Sequence, residues 1–399
     1  MKFPFISKVS SRTNKFLVVG LNSKDVRCVA VYYDSGTYKM IGSAKEPLEQ
    51  GSVRNGVVID KEDVIRAVKT ACTIATEDME EKINNVIFGV GGVLCSGSMT
   101  TVRMKRSSTE VIDKKELDGL YTKIEEASEM QAQNEYFNTT GNPEVDLDLV
   151  TSSNVYIKID GQEVESLEGK TGSVVEIAVF NAFSPSFHIK TLQDIAKKSG
   201  LNILAVGSEM YALSQWMKQY SIGLNDFILM SVDNECTTVA VIFGGGIVGI
   251  KSLDIGLSHF VDSVSEKMGI TEREADKILR GYINGSLSES EAALIQKCIE
   301  ETLRIWLMGV ELLFGEFSNV KTFAPRIYLT GHGAEIKDII STLKSEPWTK
   351  SIAFKTFPEI SKINFSDFSK ITDATGKAGG TDWLNPIFMS IIFEEIFGK

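Results

Sequence analysis

Residues 16–31 (FLVVGLNSKDVRCVAV) and 227–241 (FILMSVDNECTTVAV) follow one plan. Each is an apolar run, a short polar turn and a second apolar run rich in β-branched residues. Each predicts a β-hairpin. Their repetition predicts a chain built from two similar α/β halves. Paired hairpins suit a nucleotide held between two lobes, because their turns offer backbone N–H groups to phosphates. A third element, residues 327–334 (IYLTGHGA), predicts a strand ending in a Gly-x-Gly turn before a helix. A flat base could lie against backbone there.

The bulk properties narrow the function. A chain of 399 residues exceeds one compact core and suits two to four units. The net charge of −11 argues against general nucleic-acid binding, which needs a basic face. No apolar run approaches the roughly 18 residues of a membrane span. Residues 1–15 carry Lys2, Lys8, Arg12 and Lys15 but no long apolar core, a poor secretory signal. The five cysteines are scattered without a CxxC pair, which suits reduced thiols. His188, His259 and His332 are far apart, so no metal site is expected.

Between the hairpins, residues 51–60 (GSVRNGVVID) predict a glycine-punctuated turn and strand. A helix follows over 60–79, with Asp60 as N-cap and Asp63 as a weak capping-box partner. Strands are predicted at 38–42, 86–90, 99–104, 155–159 and 172–180. Helices are predicted at 113–131, 186–199, 208–220, 271–283, 288–317, 335–344 and 386–397. Residues 132–144, rich in Asn, Thr and Gly, predict a flexible loop. The expected division is a first lobe over 1–82 and 181–225 and an inserted subdomain over 83–180. The second lobe covers 226–262 and 321–385, with a helical subdomain over 263–320 and a closing helix over 386–399.

Candidate ligand-binding residues follow from this layout, each with a plain structural alternative. Asn22 and Ser23 could approach a phosphate, or simply build a hairpin turn. Thr237 and Thr238 could bond phosphate oxygens, but threonine is also an ordinary strand residue. Residues 244–246 (GGG) lie between two apolar strands and read as a hairpin turn. No GxxxxGK[ST] motif occurs, so this is not a P-loop protein. Within TGHG, Gly331 and Gly333 flank His332, which could contact a base or stand exposed. Glu209 follows a buried strand, where carboxylates can orient a water in a cleft. A carboxylate favoured by the helix dipole explains it nearly as well.

Together these pieces resemble the actin-like ATPase superfamily, and specifically its FtsA/PilM branch, over nearly the whole chain. The resemblance implies an α/β, RNase H-like, two-lobed fold with an SHS2 subdomain inserted at 83–180. The first hairpin matches the family's first phosphate loop, 231–241 its second, and 329–334 its adenosine motif. Glu274 and Lys277 (EADK) fall where the family has an adenine-side Glu-x-x-Lys, and Glu209 where relatives place a catalytic carboxylate beside the hydrolytic water. ATP or ADP is thereby implied as ligand, with Mg2+ uncertain. The chain departs from the pattern at Gly20 and Ser231, where the family places metal-binding aspartates, and Asp233 and Glu235 add negative charge. Losing those carboxylates removes ligands for a hard cation and help for phosphoryl transfer.

The resemblance therefore implies weak nucleotide binding and little or no ATPase activity. It implies an FtsA-like scaffold of the cell-division ring, with a PilM-like role in type IV pilus assembly or an active polymerising ATPase as alternatives. A sugar kinase of this fold is disfavoured, since no aspartate is placed as a base between the lobes. Expected partners are proteins bound through 83–180, other copies in filaments, and a membrane surface touched peripherally by the N-terminal MKFPFISK. A cytoplasmic place at the inner face of the membrane would fit. The final helix carries Glu394 and Glu395, which anionic lipid disfavours, so it is expected to pack on the fold.

Overall fold

The computed structural model describes residues 14–398 apart from 107–109, 143–144, 222, 346 and 379–382. The N-terminal MKFPFISK expected at a membrane lies outside the described residues.

The first lobe opens with β1 (Lys15–Leu21), β2 (Asp25–Asp34) and β3 (Thr37–Pro47), an antiparallel meander. A small hairpin, β4 (Val53–Arg54) and β5 (Val57–Val58), leads to α1 (Lys61–Ala75). Asp60 caps α1, accepting from the N–H groups of Glu62 and Asp63. The expected capping box does not form. Asp63 instead accepts from Glu49 N at 2.8 Å, in the loop between β3 and β4, and pairs with Arg66 at 2.6 Å, so its buried carboxylate is used there.

After β6 (Asn85–Val90) the chain leaves the lobe through β7 (Ser96–Lys105), α2 (Lys114–Thr140), β8 (Leu147–Ile159), β9 (Gln162–Glu163) and β10 (Val174–Pro185). It returns through α3 (Ser186–Ser199), β11 (Asn202–Ser208) and α4 (Glu209–Trp216). The second lobe repeats the plan with β12 (Phe227–Val232), β13 (Thr237–Phe243) and β14 (Gly246–Leu253). Helices α5 (Leu257–Met268), α6 (Glu272–Asn284) and α7 (Glu289–Gly315) follow, then β15 (Arg326–Thr330), α8 (Lys337–Ser345), β16 (Glu359–Lys362), β17 (Ile371–Asp373), α9 (Leu384–Phe388) and α10 (Ile391–Phe397).

The duplication read from the two hairpins is real. One sheet runs β11-β6-β1-β2-β3-β17, and the other contains β16-β15-β12-β13-β14. In each, the hairpin meander is flanked on its first-strand side by two parallel strands. Period-2 patterning sets how the lobes join. Ile228, Met230 and Val232 enter the core of the second lobe, while Phe227 and Leu229 from the same strand enter that of the first.

Four expectations need correction. First, β6 lies between β1 and β11, so the inserted block begins after it and not at residue 83. Second, the block is not separate. It has a small core of its own around Ile112, Leu120, Ile124, Ile157 and Ile177. Its β7 nevertheless pairs with β14, which extends the second lobe's sheet to nine strands.

Third, residues 132–140 are helix and not loop. Ala132 is buried, Glu135 pairs with Lys251 of β14 at 2.7 Å, and the helix stops only at Gly141 in the left-handed conformation. Tertiary anchoring overrides the weak helix propensity of Asn and Thr. Fourth, the final helix is broken. Met389 N still bonds Asn385 O, but from Ser390 the bonding tightens to i→i−3, and the Ser390 hydroxyl donates to Ile387 O, competing with the helical pattern. Both pieces pack into the first core.

Candidate functional site

The two hairpin turns meet between the lobes. Residues 22–24 come from the first lobe and 233–236 from the second. The β4–β5 turn and the end of β6 complete a small cavity of about 90 Å³. Asn22, Ser23, Asn55, Glu209, Asp233, Asn234 and Glu235 line it.

The turns bond to each other directly. Asn234 Nδ2 donates to Ser23 Oγ at 2.6 Å, and Asn55 N donates to Glu235 Oε2 at 2.6 Å. Further links surround them: Lys24 to Asp276 of α6 at 2.7 Å, and Gln50 Nε2 to Glu272 at 3.0 Å. From β2, Arg27 Nη2 lies 3.3 Å from His332 Nε2. Since guanidinium only donates, that histidine nitrogen is the acceptor. Arg27 also pairs with buried Asp25 at 2.7 Å.

Glu209 opens α4 beneath this junction. The end of β6 comes close enough that a Cβ on Gly89 or Gly91 would sit 2.7 or 2.5 Å from its carboxylate oxygens. Its single side-chain hydrogen bond among the described contacts is from Asn385 Nδ2 at 3.4 Å. The carboxyl touches the cavity but is otherwise enclosed. Burial, and then repulsion by Asp233, push it up to about 7 against the opposing pull of Arg27. Asp233 is raised by burial despite the Ser231 hydroxyl donating to it at 2.8 Å, and Glu235 is raised by burial as well.

The structure brings some of the expected site residues together and directs others elsewhere. Asn22, Ser23 and Glu209 line one cavity. Thr237 and Thr238 do not. Thr237 Oγ1 donates to Ile255 O at 2.7 Å and accepts from Trp306 Nε1 at 2.9 Å, while Thr238 bonds Ser252 at 3.0 Å. Both are buried strand residues. Glu274 caps its own helix, accepting from Thr271 N at 3.0 Å, and Lys277 is exposed. The face of α6 toward the cleft is carried by Glu272 and Asp276, one turn apart, which the sequence reading missed. Gly331 has φ +86°, and a Cβ there would lie 2.4 Å from Val232 O. It lets the TGHG turn close onto the second hairpin. A Cβ on Gly333 would likewise meet Val232 Cγ1 at 2.3 Å, and His332 turns to Arg27.

Gly256 holds the second turn in the same way. A Cβ there would meet Asp233 O and Cys236 N, both at 2.6 Å. These are backbone atoms that no rotamer change can move. Gly256→Ala is expected to cost about 1–3 kcal/mol by forcing the turn aside. Gly315→Ala, with open space around it near a helix end, should change stability by less than about 1 kcal/mol. Urea titration of both variants checks this, and equal effects would show that the close approach carries no cost.

Mg2+–triphosphate does not fit this junction. The cavity is well below the roughly 300 Å³ of small-ligand sites. Three carboxylates line it and, among the described residues, no lysine or arginine does. No cluster of three or more His, Cys, Asp or Glu suited to a metal ion occurs among the described residues.

The whole architecture is similar to a solved structure titled as the PilM–PilN type IV pilus biogenesis complex. The TM-score is 0.66 at 13% identity, with 96% of this chain and 98% of that one covered. The fold is that of the actin-like ATPases. Weaker likenesses include the ethanolamine utilization protein EutJ from Carboxydothermus hydrogenoformans and MreB 5 of Spiroplasma citri bound to AMPPNP. EutJ gives a TM-score of 0.48 at 12% identity, covering 90% of this chain and 87% of that one. MreB 5 gives 0.46 at 13%, covering 97% and 98%. No family model and no curated protein matches the sequence. In this cleft the two turns are bonded to each other, and Glu209, Asp233 and Glu235 line the space between them.

Proposed function

We propose that this actin-like protein is a scaffold that joins a membrane-associated machine to protein partners, with a cleft that does not turn over ATP. One observation carries the reading. The turns that would have to receive the phosphates are hydrogen-bonded to each other around a small acidic cavity. Phosphoryl transfer depends on positioning and on compensating charge, and neither is provided there.

The likeness to the PilM–PilN structure favours a PilM-like place in pilus assembly over an FtsA-like place in the division ring. Genes for a pilus platform beside this one would support that choice, and division genes would reverse it. The strand–helix–strand–strand order of β7, α2, β8 and β10 suits an SHS2-type platform for partners. Attachment through a partner or a peripheral contact belongs to this reading; among the described residues no helix is long and apolar enough to cross a membrane.

The test is calorimetric titration with ATP, ADP and adenosine, with and without Mg2+. The expected result is binding no tighter than about millimolar, little affected by Mg2+, and no phosphate release above background. Tight, Mg2+-dependent ATP binding with turnover would replace the scaffold by an active ATPase.

A further inference from the structure

Helix α7 carries a second apolar face that the fold does not use. Its buried side, with Ile295, Ile299, Trp306, Val310 and Leu313, packs into the core of the second lobe. On the solvent side Leu294 is 49% exposed, Ile305 48%, Met308 56% and Leu312 73%. Of the twelve large apolar side chains exposed among the described residues, four therefore share this one helix. Single apolar residues on a surface are ordinary, but a contiguous patch marks a place of contact.

The four also share one stripe. Positions 301, 305, 308 and 312 advance by four, three and four, and 294 lies one heptad before 301. That spacing is the seam of a helix pair. Leu294 and Leu312 are eighteen positions apart, about five helical turns, so they stand on one line about 27 Å long.

Charge decides what fits the stripe. Glu301 lies within it, 63% exposed, and reaches Lys267 only at 3.8 Å. Lys297 and Arg304 stand exposed along one side, and their side chains make no hydrogen bond or ion pair among the described residues. Glu311 lies on that same side and accepts from the Ser351 hydroxyl through one oxygen. Glu300, Glu301 and Glu311 would repel anionic lipid. A second α7 running the opposite way is complementary to this pattern. With a two-fold axis beside Leu303, Leu294 faces Leu312 of the second copy and Glu301 faces its Ile305. Arg304 then comes within one residue of the second copy's Glu301, and Lys297 within two of its Glu311. The two Arg304 side chains approach near the axis, where each has the other copy's Glu301 and its own Glu300 as counter-charge. The axis repeats every one of these contacts.

We infer that α7 pairs with α7 of a second copy of this chain, antiparallel about an axis beside Leu303, and closes a dimer. Such a contact is isologous. It is used up in the dimer and does not propagate, unlike the head-to-tail contacts of a filament. The inference goes beyond the scaffold reading and does not rest on it, since a chain that turned over ATP would pair in the same way.

Sedimentation equilibrium of the full chain tests it. One helix pair is a small interface, so a monomer–dimer equilibrium with Kd on the order of 10 µM is expected, with no larger species. The substituted positions are exposed, and an unchanged melting temperature checks that each variant folds. Leu312→Glu should weaken pairing about tenfold or more, because it places an unpaired carboxylate in the seam. Glu301→Arg sets like charges against Arg304 and should weaken it about threefold or more, and adding Arg304→Glu should recover most of the loss. Direction is read by cysteines. A mixture of Leu294→Cys and Leu312→Cys chains should give a disulfide-linked dimer on mild oxidation. Either variant alone should give none, as wild type should, because about 27 Å separates like positions. The inference is overturned by a monomer up to about 200 µM, some twentyfold above the expected Kd. It is equally overturned by an assembly that keeps growing with concentration, by a dimer indifferent to Leu312→Glu, by a charge reversal that recovers nothing, or by a single-cysteine variant that links to itself. A monomer that sediments with phosphatidylglycerol vesicles, and loses this with Leu312→Glu, would overturn it too and assign the stripe to lipid.

Discussion

Trp216→Ala is expected to lower the free energy of unfolding by about 3–5 kcal/mol, the range for deleting a large side chain from a packed core. Trp216 ends α4 and is fully buried. Its ring lies 4.8 Å from Tyr38, 5.0 Å from Tyr220, 5.9 Å from Phe368 and 6.3 Å from Phe388. Those four residues come from β3, the turn after α4, the segment before β17, and α9. One indole therefore ties the end of the chain to the first lobe. Its N–H donates to Phe388 O at 2.7 Å, and truncation would leave that carbonyl without this donor. Trp216→Phe keeps most of the volume and loses the donor, so it should cost less than half as much. Guanidinium unfolding of both variants distinguishes packing from hydrogen bonding. A loss below about 1 kcal/mol for Trp216→Ala would show that the cluster can collapse around the gap.

Stability should fall as pH rises from about 5 to about 8, the opposite of what a chain with net charge −11 and ordinary ion pairs would do near its acid limb. The two carboxyls with the largest upward shifts dominate, and the buried Asp233 and Glu235 act in the same direction. Glu209 is pushed up to about 7 by burial and by Asp233. Glu395 of α10 is pushed up to about 7 by burial, although the Tyr211 hydroxyl donates to it at 3.0 Å and pulls the other way. Below their ordinary range near 4.5 both carboxyls are protonated in folded and unfolded chains alike. Above it the unfolded chain ionises first and binds fewer protons than the folded one, so unfolding gains ground until pH passes about 7. With allowance for their partial exposure, the pair should contribute a loss of about 1–3 kcal/mol across that window.

The acid limb has the usual sign. Burial raises Asp63 and Asp373, but Arg66 and the Glu49 N–H outweigh it for the first, and backbone N–H donors and Thr375 for the second. Both end below the usual range, so their contribution is lost as pH falls through it. A maximum near pH 5 follows. Thermal unfolding across pH checks it. Glu395→Gln, whose amide oxygen still accepts from Tyr211, should flatten the decline above pH 5 by about half, and adding Glu209→Gln should remove most of the rest. A wild-type midpoint that rises steadily from pH 5 to pH 8 would contradict both assignments.

Local pattern was enough for much of this molecule. The apolar runs on each side of short polar turns specified both hairpins, because period-2 burial and β-branched packing are written into adjacent residues. The helix over 186–199 was legible to the residue from its amphipathic period, and Gly200 in the left-handed conformation ends it in the structure. The duplicated plan followed from comparing one stretch of sequence with another, and the actin-like fold was implied by the resemblance that the order of the motifs carries.

What only the tertiary structure decided are matters of partner and direction. Thr237 and Thr238 look like phosphate ligands in sequence, yet the strand's register turns them into the core toward Ile255, Trp306 and Ser252. Residues 132–140 read as a loop until Lys251, more than a hundred positions away, meets Glu135. The place of β6 in the first lobe depends on which strands flank it, and no local signal carries that. The closing of Ser23 onto Asn234 and of Asn55 onto Glu235, which defines the cleft, joins residues some two hundred positions apart. Propensity and period are properties of neighbours along the chain. Hydrogen-bond partners across a cleft and the desolvation of a carboxylate are properties of neighbours in space, and they exist only once the two lobes have met.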